Sequence, residues 1–156
     1  MNQTRIFLDT NVLVYAHDSS SQHHIISANL LSAVFTGRFQ AVLSEQNLLE
    51  LYRILTNPIA MKGNSLSTSQ VKNLIESTYL GGQFQIIYPT QAVLRQVLEL
   101  AVQKNITSAK IFDLRLAAIA LSTQVKFLIT FNIKDFTGIN GLTPLSPYEI
   151  FTYLDT

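Results

Sequence analysis

A chain of 156 residues with a hydrophobic content of 47% is long enough to bury one substantial core and too short for two, so residues 1–156 are expected to form one domain. Charged residues make up only 13%, the formal net charge is +1 and cysteine is absent, which excludes a disordered chain, a disulfide framework and a thiolate metal site, and leaves nucleic acid open as a partner. Polar residues interrupt the apolar runs before a signal peptide or a membrane span is complete, so we expect a soluble, cytoplasmic protein without a membrane partner.

The first element is a short apolar run, residues 6–8, that ends at the carboxylate of Asp9 and is followed by Thr10 and Asn11. It predicts a buried strand with Asp9 at its carboxyl end. In an open α/β sheet the carboxyl ends of the strands form the crevice that binds ligands, and a carboxylate there without a basic neighbour needs a cation such as a metal ion. Alternatively, Asp9 only caps the turn that follows.

Helices and strands then alternate. Apolar residues at helical spacing predict a helix over about 22–35, and the adjacent His23 and His24 are expected at its surface because neighbouring helix residues point in different directions. Residues 39–43 alternate like a strand, and Ser44 can cap the next helix. The order strand, helix, strand, helix predicts a parallel sheet with right-handed crossovers.

Glu50 lies beside the buried stripe of the helix that follows Ser44, so its carboxylate is expected at the edge of the core. Its alternative role is an ion pair with Arg53, worth about 0.2–0.5 kcal/mol if exposed. The helix dipole already accounts for Glu45 in the first turn. Four residues form the predicted stripe: Leu48, Leu51, Tyr52 and Leu55.

Residues 57–69 are rich in turn formers and predict a loop that could cover a site. Ser67 or Thr68 is expected to cap a helix that runs through Tyr79. None of the segments up to residue 104 shows obvious chemistry. After this helix we expect a strand over 84–88 and a helix over 91–104.

Asp113 lies in a segment of apolar and small residues, 111–121, that predicts a helix. It shares a face with small and apolar side chains that permit close approach to another backbone. A lone acid on such a face is costly. It is tolerated either in the first helical turn, where the dipole favours negative charge by about 0.3–1 kcal/mol, or by sharing a metal ion with Asp9.

A strand is predicted over 126–130, and it brings three polar residues, Thr130, Asn132 and Asp135, to the same edge of the sheet as Asp9. The acids of this chain are therefore expected to converge if the sheet is parallel. The chain is expected to close with a short strand over 142–145 and a helix over 147–153.

Four short motifs lie on these predicted elements in register with one another, and each motif alone is weak evidence for a family. The motifs are Asp9-Thr10-Asn11, Ser44-Glu45 through Glu50-Leu51-Tyr52-Arg53, Ile111-Phe112-Asp113 with Ala117-Ala118, and Thr130-Phe131-Asn132-Ile133-Lys134-Asp135-Phe136. Together they cover nearly the whole chain and resemble the PIN domain family, especially the VapC-type toxins of bacterial toxin–antitoxin pairs.

The resemblance implies a three-layer α/β/α fold with a central parallel sheet flanked by helices. It implies a metal-dependent endoribonuclease that cuts single-stranded regions of tRNA, mRNA or rRNA, forms a homodimer and is silenced by a small protein antitoxin. The implied catalytic and metal-binding acids are Asp9, Glu50, Asp113 and Asp135, and the implied supporting residues are Asn11, Thr130 and Asn132. Whether Asn132 or Asp135 completes the site stays open.

The chemistry of these residues suits that function. Carboxylate and carbonyl oxygens select hard cations such as Mg²⁺ or Mn²⁺, which lower the pKa of a bound water and stabilise charge on a phosphate. Without a cation the carboxylates would repel RNA. Four basic residues near these acids in sequence could contact RNA phosphates, although surface solvation is their ordinary role: Arg53, Lys110, Arg115 and Lys134.

Two other functions remain possible from the sequence. A receiver or phosphatase domain would require a second acid close to Asp9, where Asn11 stands. A PIN-like interaction module without catalysis is disfavoured by the presence of all four acids. The apolar Tyr52, Ile59 and Met61 suit a surface covered by a partner, but the core is the expected place of Tyr52 and an open alternative for the other two.

Overall fold

The structure is a computed structural model that describes residues 3–155, and its centre is a five-stranded sheet. The strands are β1 (Thr4–Leu8), β2 (Phe39–Ser44), β3 (Phe84–Ile87), β4 (Phe127–Ile129) and β5 (Thr143–Leu145). They lie in the order β3-β2-β1-β4-β5, and every pairing is parallel. Because the strand order reverses between β1 and β4, the ligand-binding crevice of such a sheet is expected at the carboxyl ends of these two strands.

Seven α-helices lie within the described residues: α1 (Thr10–Ala16), α2 (His24–Phe35), α3 (Glu45–Leu55), α4 (Thr68–Leu74), α5 (Gln91–Lys104), α6 (Ile111–Ser122) and α7 (Pro147–Leu154). A π-helical turn, Ile75–Tyr79, continues α4, and 3₁₀ turns occur at Ser108–Lys110 and Ile133–Phe136. Between residues 3 and 155 none of the helices has both the length and the apolar character to cross a bilayer.

The helices cover both faces of the sheet. Successive side chains of a strand point to opposite faces, and in β1 Ile6 and Leu8 enter one core cluster whereas Phe7 enters the other. The first cluster includes residues of α1–α4 and α7, and the second includes residues of α5 and α6. The fold is therefore a three-layer α/β/α sandwich around a parallel sheet, as the resemblance implied.

Local hydrogen bonds explain where α3 begins. The Ser44 hydroxyl accepts from the Asn47 backbone N–H at 3.4 Å, and Asn47 Oδ1 accepts from the Ser44 backbone N–H at 2.8 Å. This reciprocal pair satisfies two donors at the start of the helix. Its result is that α3 leaves the carboxyl end of β2 directly, at the same edge of the sheet as Asp9.

The structure differs from the sequence-based predictions at three places and decides between the alternatives left open for Ile59 and Met61. The residues after Asp9 form a helix, α1, that was not predicted. His23 is not simply solvated, because its ring stacks on Phe131 at a centroid distance of 4.3 Å. Tyr52 is 36% exposed and so lies outside the buried stripe of α3. In the turns after α3, Met61 is 4% exposed and belongs to the core, whereas Ile59 is 88% exposed.

The edge strand β5 has a proline in the middle. The Thr143 N–H donates to the carbonyl of Lys126, and the Leu145 carbonyl accepts from the Thr130 N–H, both at the side of β4. Because the backbone groups of successive strand residues point to opposite sides, Pro144 presents its backbone to the outer edge.

Candidate active site

Four acids line one cleft at the carboxyl edge of the sheet. Asp9 directly follows β1, Glu50 lies in α3, Asp113 in the first turn of α6 and Asp135 in the 3₁₀ turn after β4. The structure thus brings together side chains from four segments that are far apart in the sequence. The acid cleft has a volume of about 360 Å³, and its lining includes Asp9, Glu50, Asp113, Asp135, Asn11 and Asn132.

Asp9 is buried and held by two hydrogen bonds. Its Oδ1 accepts from the Thr10 backbone N–H, and its Oδ2 accepts from the Thr130 hydroxyl, each at 2.8 Å. The first bond caps α1, so the capping alternative for Asp9 is true. It does not exclude a second role, because each carboxylate oxygen keeps a further acceptor site.

The Thr130 hydroxyl is itself held by two further hydrogen-bond donors. It accepts from the Asn132 backbone N–H at 2.9 Å and lies 3.4 Å from the Asn11 side-chain amide, which donates to it. The three residues predicted to support the site therefore form one connected group behind Asp9. Their bonds set the orientation of the Asp9 carboxylate.

Glu50 is positioned by neutral hydrogen-bond donors. Its Oε2 accepts from the Thr10 hydroxyl at 2.7 Å, and its Oε1 accepts from the Gln46 amide at 2.6 Å. The ion pair with Arg53 that the spacing allowed is absent from the described part of the chain, where the ion pairs are Arg38–Asp155 and Lys72–Glu76. The negative charge of Glu50 is thus hydrogen-bonded but not neutralised by this arginine.

The electrostatics of the cleft favour a bound cation. The pKa of Asp9 is raised to about 6: burial is the largest cause, its two hydrogen bonds act in the opposite direction, and the charges of Glu50 and Asp113 add to the increase. The pKa of Asp113 is also raised, first by burial and then by the charges of Asp135 and Glu50, while Lys110 lowers it. Mutual repulsion among the acids is the pattern that a divalent cation would relieve.

The donor set suits Mg²⁺ or Mn²⁺, which prefer oxygen ligands. Between residues 3 and 155, no group of three His, Asp or Glu side chains is arranged to hold an ion by itself. Such a preformed cage is not required, because Mg²⁺ in phosphate-processing sites is usually bound through one or two carboxylates and keeps several waters. The acids present fit an ion of this kind.

The four basic residues proposed to contact phosphates form two groups. Arg53 and Arg115 line a cleft of about 790 Å³ that shares Glu50 with the acid cleft. Lys110 and Lys134 line a smaller pocket of about 140 Å³ that shares Asp113 and Asp135 with it. Positive charge therefore lies in two pockets that adjoin the acid cleft.

Three polar residues of the site were not predicted. Besides donating to Glu50, the Thr10 hydroxyl accepts from the buried Asn47 side chain at 3.0 Å. Gln46 binds Glu50 through its amide nitrogen and accepts a hydrogen bond from Arg115 through its amide oxygen. The signal for Gln46 was its place one helical turn before Glu50. The roles of Thr10 and Asn47 depend on contacts between distant elements.

Comparison with known proteins identifies similar sequences and similar folds. The chain is 28% identical to ribonuclease VapC24 of Mycobacterium tuberculosis over 130 aligned residues. The alignment covers 88% of the relative and 83% of this chain. Its fold is similar to that of VapC20 of Mycobacterium tuberculosis, a toxin that cleaves the sarcin–ricin loop, with a TM-score of 0.64 and 14% identity over 89% of this chain and 99% of the other. It is also similar to a chain of a toxin–antitoxin complex from Klebsiella pneumoniae, with a TM-score of 0.58 and 22% identity over 92% and 98% of the two chains.

The family model that matches this sequence is described as PIN domain. It matches residues 6–140, which include residues 6–8 of β1, all of β2, β3 and β4, and all four acids of the cleft. The resemblance inferred from four short motifs is therefore confirmed, and the chain belongs to the PIN domain family.

Proposed function

We propose that this protein is a metal-dependent endoribonuclease that cleaves single-stranded regions of RNA in the cytoplasm and is the toxin of a toxin–antitoxin pair. The observation that carries the proposal is the convergence of Asp9, Glu50, Asp113 and Asp135 on one cleft. The names of its relatives, a ribonuclease and a toxin that cleaves the sarcin–ricin loop, support the same activity. Residues 1–156 would then act as one nuclease domain.

In the proposed mechanism, Asp9 and Asp113 would hold a Mg²⁺ or Mn²⁺ ion, and Glu50 and Asp135 would complete the acidic site. The bound ion would supply Lewis acidity for activating water and for offsetting charge on the scissile phosphate. Thr130 and the Thr10 backbone fix the two oxygens of Asp9, so the remaining acceptor sites of this carboxylate are set before RNA binds. No nucleophilic side chain is needed.

RNA phosphates on either side of the cleaved bond are proposed to contact the two basic groups. Arg53 and Arg115 would bind the strand at the Glu50 end of the cleft, and Lys110 and Lys134 would bind it at the Asp113 end. The acid cleft of about 360 Å³ is the size of a small-ligand site, which suits one strand rather than a duplex.

The direct test is a cleavage assay with purified protein. We expect it to cut a single-stranded RNA in Mg²⁺ or Mn²⁺, to lose activity in chelator, and to regain it when the ion is added back, because the acids alone repel the phosphates. A duplex of the same sequence serves as the control and should be cut slowly. Activity that persists in chelator would contradict the mechanism, and no cleavage of any RNA would favour a non-catalytic interaction module.

The partners proposed are a second copy of this chain and a small antitoxin. Exposed apolar side chains gather on α3 and around β3, where they line a cleft of about 500 Å³. Contiguous apolar surface of this kind marks interaction sites, and we assign it to the homodimer. The antitoxin would lie over the acid cleft. The residues that expose this surface include Tyr52, Leu80 and Tyr88.

The toxin assignment predicts an effect on growth. Expression of the parent protein alone should slow its host, because uncontrolled RNA cleavage stops protein synthesis, and co-expression of a small reading frame encoded next to it should relieve the effect. The Asp113→Asn protein should not slow growth. The toxin assignment is wrong if no neighbouring frame encodes a small partner and the protein is monomeric by light scattering at high concentration. That result would leave the nuclease assignment unaffected, because it rests on the four acids.

A further inference from the structure

We infer that the cleft between α3 and α6 is a nucleotide-binding subsite, in which the Phe112 ring stacks on one RNA base and Arg115 binds the adjoining phosphate. This cleft, here called the base subsite, is lined by Glu45, Gln46, Leu49, Glu50, Arg53, Phe112 and Arg115. The inference rests on the proposed ribonuclease function for the identity of the ligand, a single RNA strand.

The exposure of Phe112 is the first observation. Its side chain is 57% exposed although it stands directly before the partly buried Asp113 in α6. Aromatic side chains next to a charged groove are the usual platforms for bases of single-stranded nucleic acids, because every base has a π-face that can stack. The volume of about 790 Å³ is sufficient for one nucleotide.

Gln46 provides the second observation, because it ties this surface to the acidic site. Its amide nitrogen donates to Glu50 Oε1 at 2.6 Å and to the Phe112 carbonyl at 3.5 Å, and its amide oxygen accepts from Arg115. One side chain of α3 thus holds the backbone of Phe112, the guanidinium of Arg115 and the carboxylate of Glu50 in fixed relation. Such prior ordering lowers the entropic cost of binding a ligand.

The two arginines of the base subsite suit a phosphate, and they lie in the same lining as the acids Glu45 and Glu50. A guanidinium has five N–H donors, so Arg115 keeps donors for a ligand after binding Gln46, and Arg53 lines the same cleft. Planar guanidinium groups match phosphate oxygens in pairs. Since the base subsite shares Glu50 with the acid cleft, and Phe112 is adjacent to Asp113, the bound nucleotide would lie next to the scissile phosphate.

The test uses a set of single-stranded RNA oligonucleotides in which one abasic nucleotide is moved stepwise across the cleavage site. Binding is measured by fluorescence anisotropy in Ca²⁺, and KM and kcat are measured in Mg²⁺. For the parent protein, one abasic position should weaken binding and raise KM about five- to a hundredfold, the range for loss of one stacked base. The Phe112→Ala protein should show the same loss with intact RNA and no further loss at that abasic position.

Two control variants accompany this test. Phe112→Tyr keeps an aromatic ring and should retain the parent response to the abasic position. Tyr148→Ala removes a ring that is also exposed, at 52%, but lies in α7 and outside the lining of both clefts, and it should leave binding unchanged. Because Phe112 is exposed, its Ala variant is expected to fold, and its Tm should equal that of the parent within a few degrees.

The outcomes separate this inference from the proposed function. Equal losses for intact and abasic RNA in the Phe112→Ala protein, or conversion of a dimer to a monomer by this change, would overturn the base subsite and assign the ring to a protein contact. If the parent cleaves no RNA but its binding shows the Phe112-dependent abasic response, the base subsite stands and the nuclease proposal falls.

Discussion

The Asp113→Asn protein is expected to cleave single-stranded RNA at least about a hundredfold more slowly than the parent, because a metal ion at a phosphoryl centre contributes several kcal/mol of charge stabilisation. Asn has nearly the shape of Asp and lacks its charge, so the change weakens ion binding without opening the cleft. The measurement is kcat/KM in Mg²⁺ for a defined oligonucleotide. Asp9→Asn should have an effect of similar size.

A matched control is Asp155→Asn, which removes an exposed acid that pairs with Arg38 at 3.0 Å, and it should leave kcat/KM unchanged. Separate Ala substitutions at Asn132 and Asp135 test which of the two residues completes the metal site. We expect the larger loss, and the larger increase in the Mg²⁺ concentration needed for half-maximal activity, for Asp135→Ala, because the charge of Asp135 acts on Asp113. Asp113→Asn activity equal to that of the parent would refute the metal mechanism.

Asp9→Asn is expected to stabilise the metal-free protein at neutral and alkaline pH. The folded protein raises the Asp9 pKa from 3.8 to about 6, so the folding stability contributed by this group is fully present below pH 3.8 and is lost as the pH rises through 6. A shift of about two pKa units corresponds to about 3 kcal/mol. Since Asn can still accept from the Thr10 N–H but does not match both bonds of Asp9, we expect a net gain of about 1–3 kcal/mol at pH 8.

Chemical denaturation in chelator at pH 8 and at pH 4 measures the free energy of unfolding of both proteins. The difference between the two values at each pH removes the contribution of other titrating groups. The advantage of the Asn protein should shrink at pH 4. Saturating Mg²⁺ should stabilise the parent and have little effect on the variant, because a ligand stabilises only the folded state that binds it. An Asn protein that is less stable than the parent at pH 8 in chelator would show that the Asp9 charge is not destabilising.

Most helices were predicted because their apolar spacing is regular over two or more turns, and the strands were predicted because short apolar runs alternate with those helices. Helix α1 was missed because Thr10–Ala16 is a short apolar run directly after a buried strand, and periodicity cannot distinguish helix from strand over such a length. The hydrogen bond from the Thr10 N–H to Asp9 starts the helix there. Met61 could not be assigned to the core because turn residues have no periodicity that relates burial to sequence.

The convergence of the four acids on one cleft was predictable, because the carboxyl ends of parallel strands meet at one edge and the family resemblance added Glu50 and Asp113, which lie in helices. Their role in metal binding stays a prediction. The hydrogen-bonded shell was not predictable. Thr10 contacts Glu50 across 40 positions of sequence, and Arg115 reaches Gln46 across 69. These pairs form because α3 lies against α6 and against the start of α1. Residue spacing within a single segment carries no information about such contacts.

The proline in β5 affects whether a foreign strand can pair with this edge of the sheet. A strand at the border of a sheet can recruit a foreign strand through its outward N–H groups, and Pro144 has no N–H to offer at the outward position of this three-residue strand. In a chain with 47% hydrophobic and only 13% charged residues, there is little like-charge repulsion to keep unwanted strands away. Pro144 therefore disfavours pairing of a foreign strand at the β5 edge, and the other edge strand, β3, lies beside the apolar surface proposed for the homodimer.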